Sequence, residues 1–291
     1  MENCLIILNY NDANSCIKLT NKILNYPSVN KIIIVDNCSS DDSYTKLIKL
    51  KNKKVDIVRT KKNGGYSYGN NYGCNWAIKN YSPTYLTICN PDIFFEDSVL
   101  NKLINILELQ KNNHFAWISC KMICESNPKL LSTWKLPTYS DCILNNLTIL
   151  RKIIGDKTKY DSSIIDKNEP VEVDVLAGSF FVISTEAFKS INGFDEDTFL
   201  YNEENMLSKR LKKKGWKALY INYLSYYHFH SLSIDKSFSS MSKKLDLAYK
   251  SRFIYCNKYL KIGIIKKIFF VITYKIGKIN YLFFKSLLNK K

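Results

Sequence analysis

The sequence predicts an α/β fold: a mostly parallel sheet flanked by helices, followed by an amphipathic helical tail. Three observations predict it. Short, nearly uninterrupted apolar runs recur at Cys4–Leu8, Lys31–Val35, Val55–Val58 and Tyr85–Cys89, as buried parallel strands require. Each run stops at a polar turn and gives way to a helical pattern, so the unit repeats about every 25–30 residues, the βαβ rhythm. From about Tyr259 the rhythm is replaced by one long pattern. There Lys267, Lys275, Lys278 and Lys285 share a narrow helical arc, and Ile, Phe, Leu and Tyr fill the remainder.

The first run ends at Asn9-Tyr10-Asn11-Asp12, before a helix carrying Cys16, Leu19, Ile23 and Leu24. The second ends at Asp36-Asn37-Cys38-Ser39-Ser40-Asp41-Asp42, where Ser39 with Asp42 reads as a capping box for a helix through Leu47 and Leu50. The third leads into Asn63-Gly64-Gly65, with Gly69 and Gly73 following, and a helix through Trp76 and Ile78. The fourth ends at Asn90-Pro91-Asp92, because Pro91 cannot donate to a ladder, and a helix opens at Glu96-Asp97-Ser98. Phe115–Ile118 predicts a further strand. Residues 124–169 are polar and irregular, with helical character near 143–154, and read as an insertion between strands. The stretch 171–183 reads as one strand whose Ala177-Gly178-Ser179 marks a place where something approaches closely. Ser184 caps a short helix ending near Gly193, Glu203-Glu204 begins a basic helix ending at Gly215, and Trp216–Ile221 is a last strand before Tyr227-His228-Phe229-His230.

With 291 residues, 46% of them hydrophobic, the chain is long enough for a substantial core and is not a disordered chain. The net charge of +17 points to an anionic partner: a nucleotide, a nucleic acid or an acidic membrane surface. Nine cysteines, an odd number with no Cys-x-x-Cys pair, suggest neither a disulfide framework nor a zinc site, and fit a reducing cytoplasm. The opening apolar run is too short for a signal peptide and no basic residue precedes it. No apolar run is long enough to predict a spanning helix.

Four places have the residue types for chemistry. Asp92, at the carboxyl end of a strand, is where an open α/β sheet places ligands, and its carboxylate can hold a divalent cation or merely cap the next helix. Asp36 can accept from a base N–H or serve only an Asx turn. The glycines around Gly65 allow close backbone approach, and Asn63, Asn70 and Asn71 offer neutral hydrogen bonds, but neither a Rossmann fingerprint nor a P-loop is present. Glu203 and Glu204 can complement a helix dipole or include a general base. His228 and His230 would share one face of an extended chain, one reaching a metal or diphosphate and the other structural.

These segments occur in an order that resembles family 2 glycosyltransferases of the GT-A fold, most closely the bacterial rhamnosyltransferase-like members that build surface polysaccharides. The resemblance is carried by Ile7-Leu8-Asn9-Tyr10-Asn11, Val35-Asp36-Asn37, the Asn63–Gly73 stretch, Asn90-Pro91-Asp92, Gly178-Ser179, Gly193-Phe194-Asp195-Glu196, Phe199 to Glu204 and His228 to Ser233. It implies a nucleotide-diphospho-sugar donor, Mg²⁺ or Mn²⁺, and a glycan or lipid-linked acceptor. Asn9, Asn11, Asp36, Asn63, Gly65, Asn70 and Asn90 then fall on the donor, Asp36 as the base-binding residue. Asp92 occupies the last position of the Asp-x-Asp metal motif, with His228 beside the metal or diphosphate. Glu204 matches the catalytic base of an inverting single displacement, with Glu203 just before it. Two departures stand out: the metal motif reads Asn-Pro-Asp, and the acidic motif reads Glu-Glu-Asn-Met.

The domain expectation is a transferase domain over 1–235, its nucleotide-sugar half about 1–110 and its acceptor half about 111–235. A basic tail over 236–291 follows, predicted to lie in the membrane interface and to place the protein peripherally at the inner face of the cell membrane. A basic nucleic-acid-binding or non-catalytic nucleotide-binding protein explains the charge. It does not explain acidic residues at strand and helix ends, and no nucleic-acid motif is present, so no nucleic-acid partner is expected.

Overall fold

In the computed structural model, residues 2–229 and 241–288 are described. Four strands, β1 (Asn3–Asn9), β2 (Lys31–Asp36), β3 (Val55–Arg59) and β4 (Tyr85–Cys89), pair in parallel in the order β3-β2-β1-β4. The connecting helices are α1 (Ala13–Ile23), α2 (Ser43–Leu47) and α3 (Gly65–Tyr81). Because the chain runs from β1 outward to β3 and then returns to the other side of β1, the strand order reverses there. The carboxyl ends of β1 and β4 flank that reversal, the position where α/β sheets bind ligands.

After β4 the sheet becomes mixed. A short β5 (Ile93–Phe94) and α4 (Asp97–Leu109) lead to β6 (Phe115–Ile123), followed by β7 (Thr133–Trp134) and three helices, α5 (Tyr139–Asn146), α6 (Thr148–Ile154) and α7 (Ser162–Ile165). The stretch expected to be one strand across 171–183 breaks into β8 (Val171–Val173), β9 (Val175–Leu176) and β10 (Phe180–Ser184). The break follows from Asp174, whose backbone and side chain are taken by Tyr160, Leu136, Ser208 and Lys212 instead of a ladder. β10 inserts antiparallel between β4 and β6. After α8 (Thr185–Ser190), capped by Ser184 as expected, come α9 (Glu203–Lys213) and β11 (Lys217–His228), which runs parallel to β6 and antiparallel to β5 and β8.

Two apolar cores form, one on each face of the sheet. Leu5, Ile7, Ile32, Ile34 and Phe180 point to one side; Ile6, Ile33, Val35, Phe181 and Ile183 point to the other, the period-2 alternation of strands buried on both faces. All nine cysteines are free thiols, and eight are buried.

One local expectation gives way. Ser39 and Asp42 do not form a capping box: Asp42 occupies the cap of a five-residue helix without a side-chain bond, because Ser39 Oγ is taken by Asn9 and by the Asn11 N–H. The tail is helical and packs on the body. Helix α10 (Met241–Ile254) and helix α11 (Ile264–Leu288) share a third core with α5 and α9, built on Cys142, Met206, Tyr255, Cys256 and Phe270. The expected boundary near residue 235 lies outside the described residues.

Candidate active site

The site forms where the ends of β1, β2 and β4 meet the start of α3 and the start of α9. Asp36 ends β2 with 0% exposure. Its carboxylate accepts from Asn9 Nδ2 at 3.1 Å and the Ser39 N–H at 3.2 Å, and pairs with Arg59 Nε at 3.1 Å. Asn9 is equally buried, its Oδ1 accepting from the Asp12 N–H. Asn11, with φ of 55°, is locked to Ser40 by reciprocal bonds. The polar turns after β1 and β2 therefore clasp each other. In this arrangement Asn9 and Asp36 turn inward and order the loops.

The glycine stretch also turns inward, for a visible reason. Gly65 has φ of 88°, and a Cβ there would collide with the Phe199 carbonyl; the Tyr66 N–H donates to that same carbonyl at 2.9 Å. Only glycine tolerates both demands. Asn63 Oδ1 accepts from the Gly65 N–H and from Asn37 Nδ2. Asn70 is 1% exposed inside α3 and donates to the Tyr66 carbonyl. Asn71 binds both backbone groups of Phe194. Through Gly65 and Tyr66 on Phe199 and Asn71 on Phe194, the start of α3 is fastened to the 193–202 segment.

That fastening matters because 193–202 delivers the acidic pair. Tyr201 and Asn202, with φ of 73° and 67°, turn the chain into α9; consecutive non-glycine residues in the left-handed region persist only where surrounding structure holds them. Ser251 Oγ on α10 donates to the Leu200 carbonyl at 2.6 Å, and Lys258 bridges Asp195 and Asp197 at 2.7 Å. The tail thus braces the turn from behind.

Glu204 is half-buried and Glu203 is 6% exposed. Gly178 lies against Glu204: a Cβ there would stand 2.8 Å from Glu204 Oε1. The close approach expected at Ala177-Gly178-Ser179 is therefore that of the Glu204 carboxylate. Burial raises the Glu204 carboxyl above its usual range, while the N–H groups of Glu204 and Gly178 pull it back down. Burial, and next the Glu204 charge, push Glu203 up further, and Glu203 Oε2 meets no donor among the described residues. Of the pair, Glu203 is the one pushed further toward its protonated form, by burial first and the Glu204 charge next. Tyr66, missed in the sequence, donates its hydroxyl to the Gly178 carbonyl at 2.6 Å. Burial, then Glu204 and Glu203, raise this phenol well above its usual range, so it remains an O–H donor.

The metal motif meets the acidic pair through the sheet. The Asn90 N–H donates to the Ser179 carbonyl at 2.8 Å, which places Asn90-Pro91-Asp92 directly beside the Gly178-Ser179 step on which Glu204 rests. Asp92 does not cap α4, whose first flanking residue is Glu96. Pairing of β5 with the end of β11 sets His228 opposite Ile93 and brings His228 Nε2 to 3.3 Å from Asp92 Oδ2. His230 lies outside the described residues. No group of three or more His, Cys, Asp or Glu side chains is placed to hold a metal among the described residues. The chain offers one carboxylate and one imidazole, a donor set that fits a Mg²⁺ or Mn²⁺ whose remaining ligands are phosphate oxygens and water.

Arg59 was also missed in the sequence; its only signal was a basic residue closing an apolar strand opposite Asp36, the register partner in β2. A reversal of strand order, loops clasped at the sheet's carboxyl edge, and the Glu203–Glu204 and Asp92–His228 pairs beside them place the polar side chains where an open α/β sheet binds ligands. Comparison with known proteins gives the particular family. The family model "Glycosyl transferase family 2" matches residues 4–191, and the chain belongs to that family. It is 24% identical over 239 residues to the rhamnosyltransferase WbbL of Escherichia coli, covering 76% of this chain and 86% of that protein. It is 21% identical over 253 residues to the low-salt glycan biosynthesis hexosyltransferase Agl10 of Haloferax volcanii, covering 87% and 75%. Among solved structures it is similar to the mannosyltransferase PcManGT from Pyrobaculum calidifontis in complex with GDP-Man and Mn²⁺, with a TM-score of 0.58 and 11% identity. That match covers 90% of this chain and 65% of the other, slightly under two thirds of its length. At that identity the likeness establishes the GT-A fold alone.

Proposed function

We propose that this glycosyltransferase moves a rhamnosyl or other hexosyl group from a nucleotide-diphospho-sugar to a hydroxyl of a glycan or lipid-linked acceptor in cell-surface polysaccharide synthesis, with inversion. The observation that carries the mechanism is the Glu204 carboxylate, raised by burial and resting on the Gly178-Ser179 step beside Asn90-Pro91-Asp92. Glu204 accepts the proton of the acceptor hydroxyl. The acceptor oxygen forms its bond to the anomeric carbon as the bond from that carbon to the diphosphate breaks, its electron pair leaving with the diphosphate. Tyr66, holding the Gly178 carbonyl, keeps that step at the right distance from the base. Asp92 and His228 would hold the divalent cation, Mg²⁺ or Mn²⁺, whose positive charge would offset the negative charge of the departing diphosphate. The Mn²⁺ in the Pyrobaculum structure supports that choice of ion. Asn11, Asn63 and Asn90, at the open ends of the clasped loops, are the side chains proposed for the donor; Asn9, Asp36, Gly65 and Asn70 shape its base pocket from behind. The protein works peripherally at the inner face of the cell membrane, where lipid-linked acceptors present their sugars.

A thermal-shift panel of dTDP, UDP, GDP and CDP, each with and without Mn²⁺, tests this reading. One nucleotide at a hundredfold excess over its Kd is expected to raise Tm by roughly 5 °C or more, only with metal, and not in Asp92→Asn. No shift with any nucleotide in a folded protein overturns it.

A further inference from the structure

Helix α11 is held to the body along one narrow strip. Phe270 is fully buried and Thr273 is 3% exposed; Asn146 Nδ2 donates to the Phe270 carbonyl at 3.2 Å and to Thr273 Oγ1 at 3.3 Å. Gly277 presses on the Asn146 carbonyl with no room for a Cβ. Lys278 pairs with Asp246 at 2.7 Å, and the Tyr139 hydroxyl donates to the Lys266 carbonyl at 2.7 Å. These contacts fix the rotation of the helix, and what they leave outside is apolar. Ile265 is 80% exposed, Phe269 50%, Ile272 47%, Ile276 46%, Ile279 67% and Phe283 59%. At about 100° per residue these six fall within an arc of roughly 90°. A stripe of large apolar side chains this long is not a scatter of surface hydrophobes.

The neighbouring helix α6, which packs against α11, carries a second exposed set, Leu150 at 41%, Ile153 at 77% and Ile154 at 48%. The sequence pattern marked helical character here but not an exposed apolar face, and that face points to the same kind of partner. Lys266 and Lys275 are exposed and lie on either side of the α11 stripe, each about 80–100° from its middle. After Asp246 the chain has eleven Lys and Arg and no Asp or Glu. No described helix is long and apolar enough to cross a membrane.

We infer that α6 and α11 form one platform that lies in the interface of an anionic lipid bilayer, the isoleucine and phenylalanine stripe among the acyl chains and Lys266 and Lys275 among the headgroup phosphates. This deepens the peripheral placement proposed above. An apolar stripe flanked by lysines is what interfacial helices use, and charge selects the occupant: acid-free segments attract anionic lipid, whereas a second copy of the same basic tail would repel it.

The test is flotation of the full chain with vesicles of phosphatidylcholine alone or with one third phosphatidylglycerol. Binding is expected with the anionic vesicles, weakening as salt is raised. The double variant Ile265→Glu with Phe269→Glu on α11 is expected to reduce it at least tenfold, and Ile153→Glu on α6 at least threefold; all three positions are exposed, so folding is preserved. Each variant is checked by the nucleotide thermal shift, which these positions do not touch. Failure to float in a protein that still shifts with nucleotide overturns the platform and leaves the transferase reading standing. Flotation in a protein that shifts with no nucleotide does the reverse. Equal binding to neutral vesicles, unchanged binding in the variants, or a stable dimer dissolved by them also overturns it.

Discussion

Two buried carboxylates within one site have opposite surroundings. Asp36, at the end of β2, is completely enclosed and meets two hydrogen-bond donors and an arginine. Glu203, at the start of α9, is almost as enclosed, has one oxygen without a donor among the described residues, and stands beside a second carboxylate. A satisfied buried carboxylate orders backbone; an unsatisfied one stores electrostatic strain. The Asp36 edge of the site is thus ordered by satisfied bonds, and the unsatisfied polar group lies at the start of α9, beside the residue proposed as the base.

The sharpest way to break that comparison is Glu204→Gln. Transfer is expected to fall 10²–10⁴-fold, the range for loss of a general base, while the metal-dependent nucleotide shift persists. Near-normal turnover would move the proton acceptor elsewhere. Because burial raises the Glu204 carboxyl, the acid limb of the wild-type rate profile should lie above the ordinary carboxylate range near 4.3, with activity lost as pH falls through it. A limb at the ordinary value removes the strained-base argument.

On the other side of the comparison, Asp36→Ala orphans the Asn9 amide and the Ser39 N–H. The Arg59 pair adds little, since that side chain is 42% exposed. The expected loss is about 1.5–3 kcal/mol, measured by urea titration and felt as a lower Tm of roughly 4–10 °C. An unchanged midpoint would mean the clasp is not a scaffold.

Gly178→Ala probes the seam between the two regions. The added methyl meets Glu204 Oε1, so kcat should fall about tenfold with nucleotide affinity unchanged, at a stability cost of about 1–2 kcal/mol. Equal losses in kcat and nucleotide binding would argue for a collapse of the whole edge.

The smallest effect is expected from Glu203→Gln, an isosteric mimic of the protonated side chain. Glu203 in the folded chain holds its proton above the unfolded value. Its contribution to stability is therefore complete below the unfolded carboxylate pKa and is lost as pH rises through the folded one. The variant should be more stable than the parent at neutral pH, by about 1 kcal/mol, with the gain vanishing below about pH 4. Turnover should stay within about threefold. A loss of stability at neutral pH would show that the charge is paired after all.

The sequence by itself determined the parallel half of the sheet, because buried strands there are local apolar runs and their turns sit at strand ends; β1, β2, β3 and β4 fall where the runs do. It also marked Asp36, Asp92, Glu203, Glu204 and His228, since scarce polar groups at strand and helix ends stand out against the apolar pattern. Only the tertiary structure decided what those residues face. Three long-range closures made that decision: Gly65 on Phe199, Gly178 on Glu204, and His228 on Asp92 through β11 and β5. Their spacings in sequence carry no period, so no local pattern announces them. The tail shows the same division. Its amphipathic character is a 3.6-residue period that can be read from the chain, but docking through Phe270, Thr273 and Gly277 alone fixed which side meets α5 and which is left for a partner, because a helix wearing apolar groups around most of its circumference does not specify its own rotation.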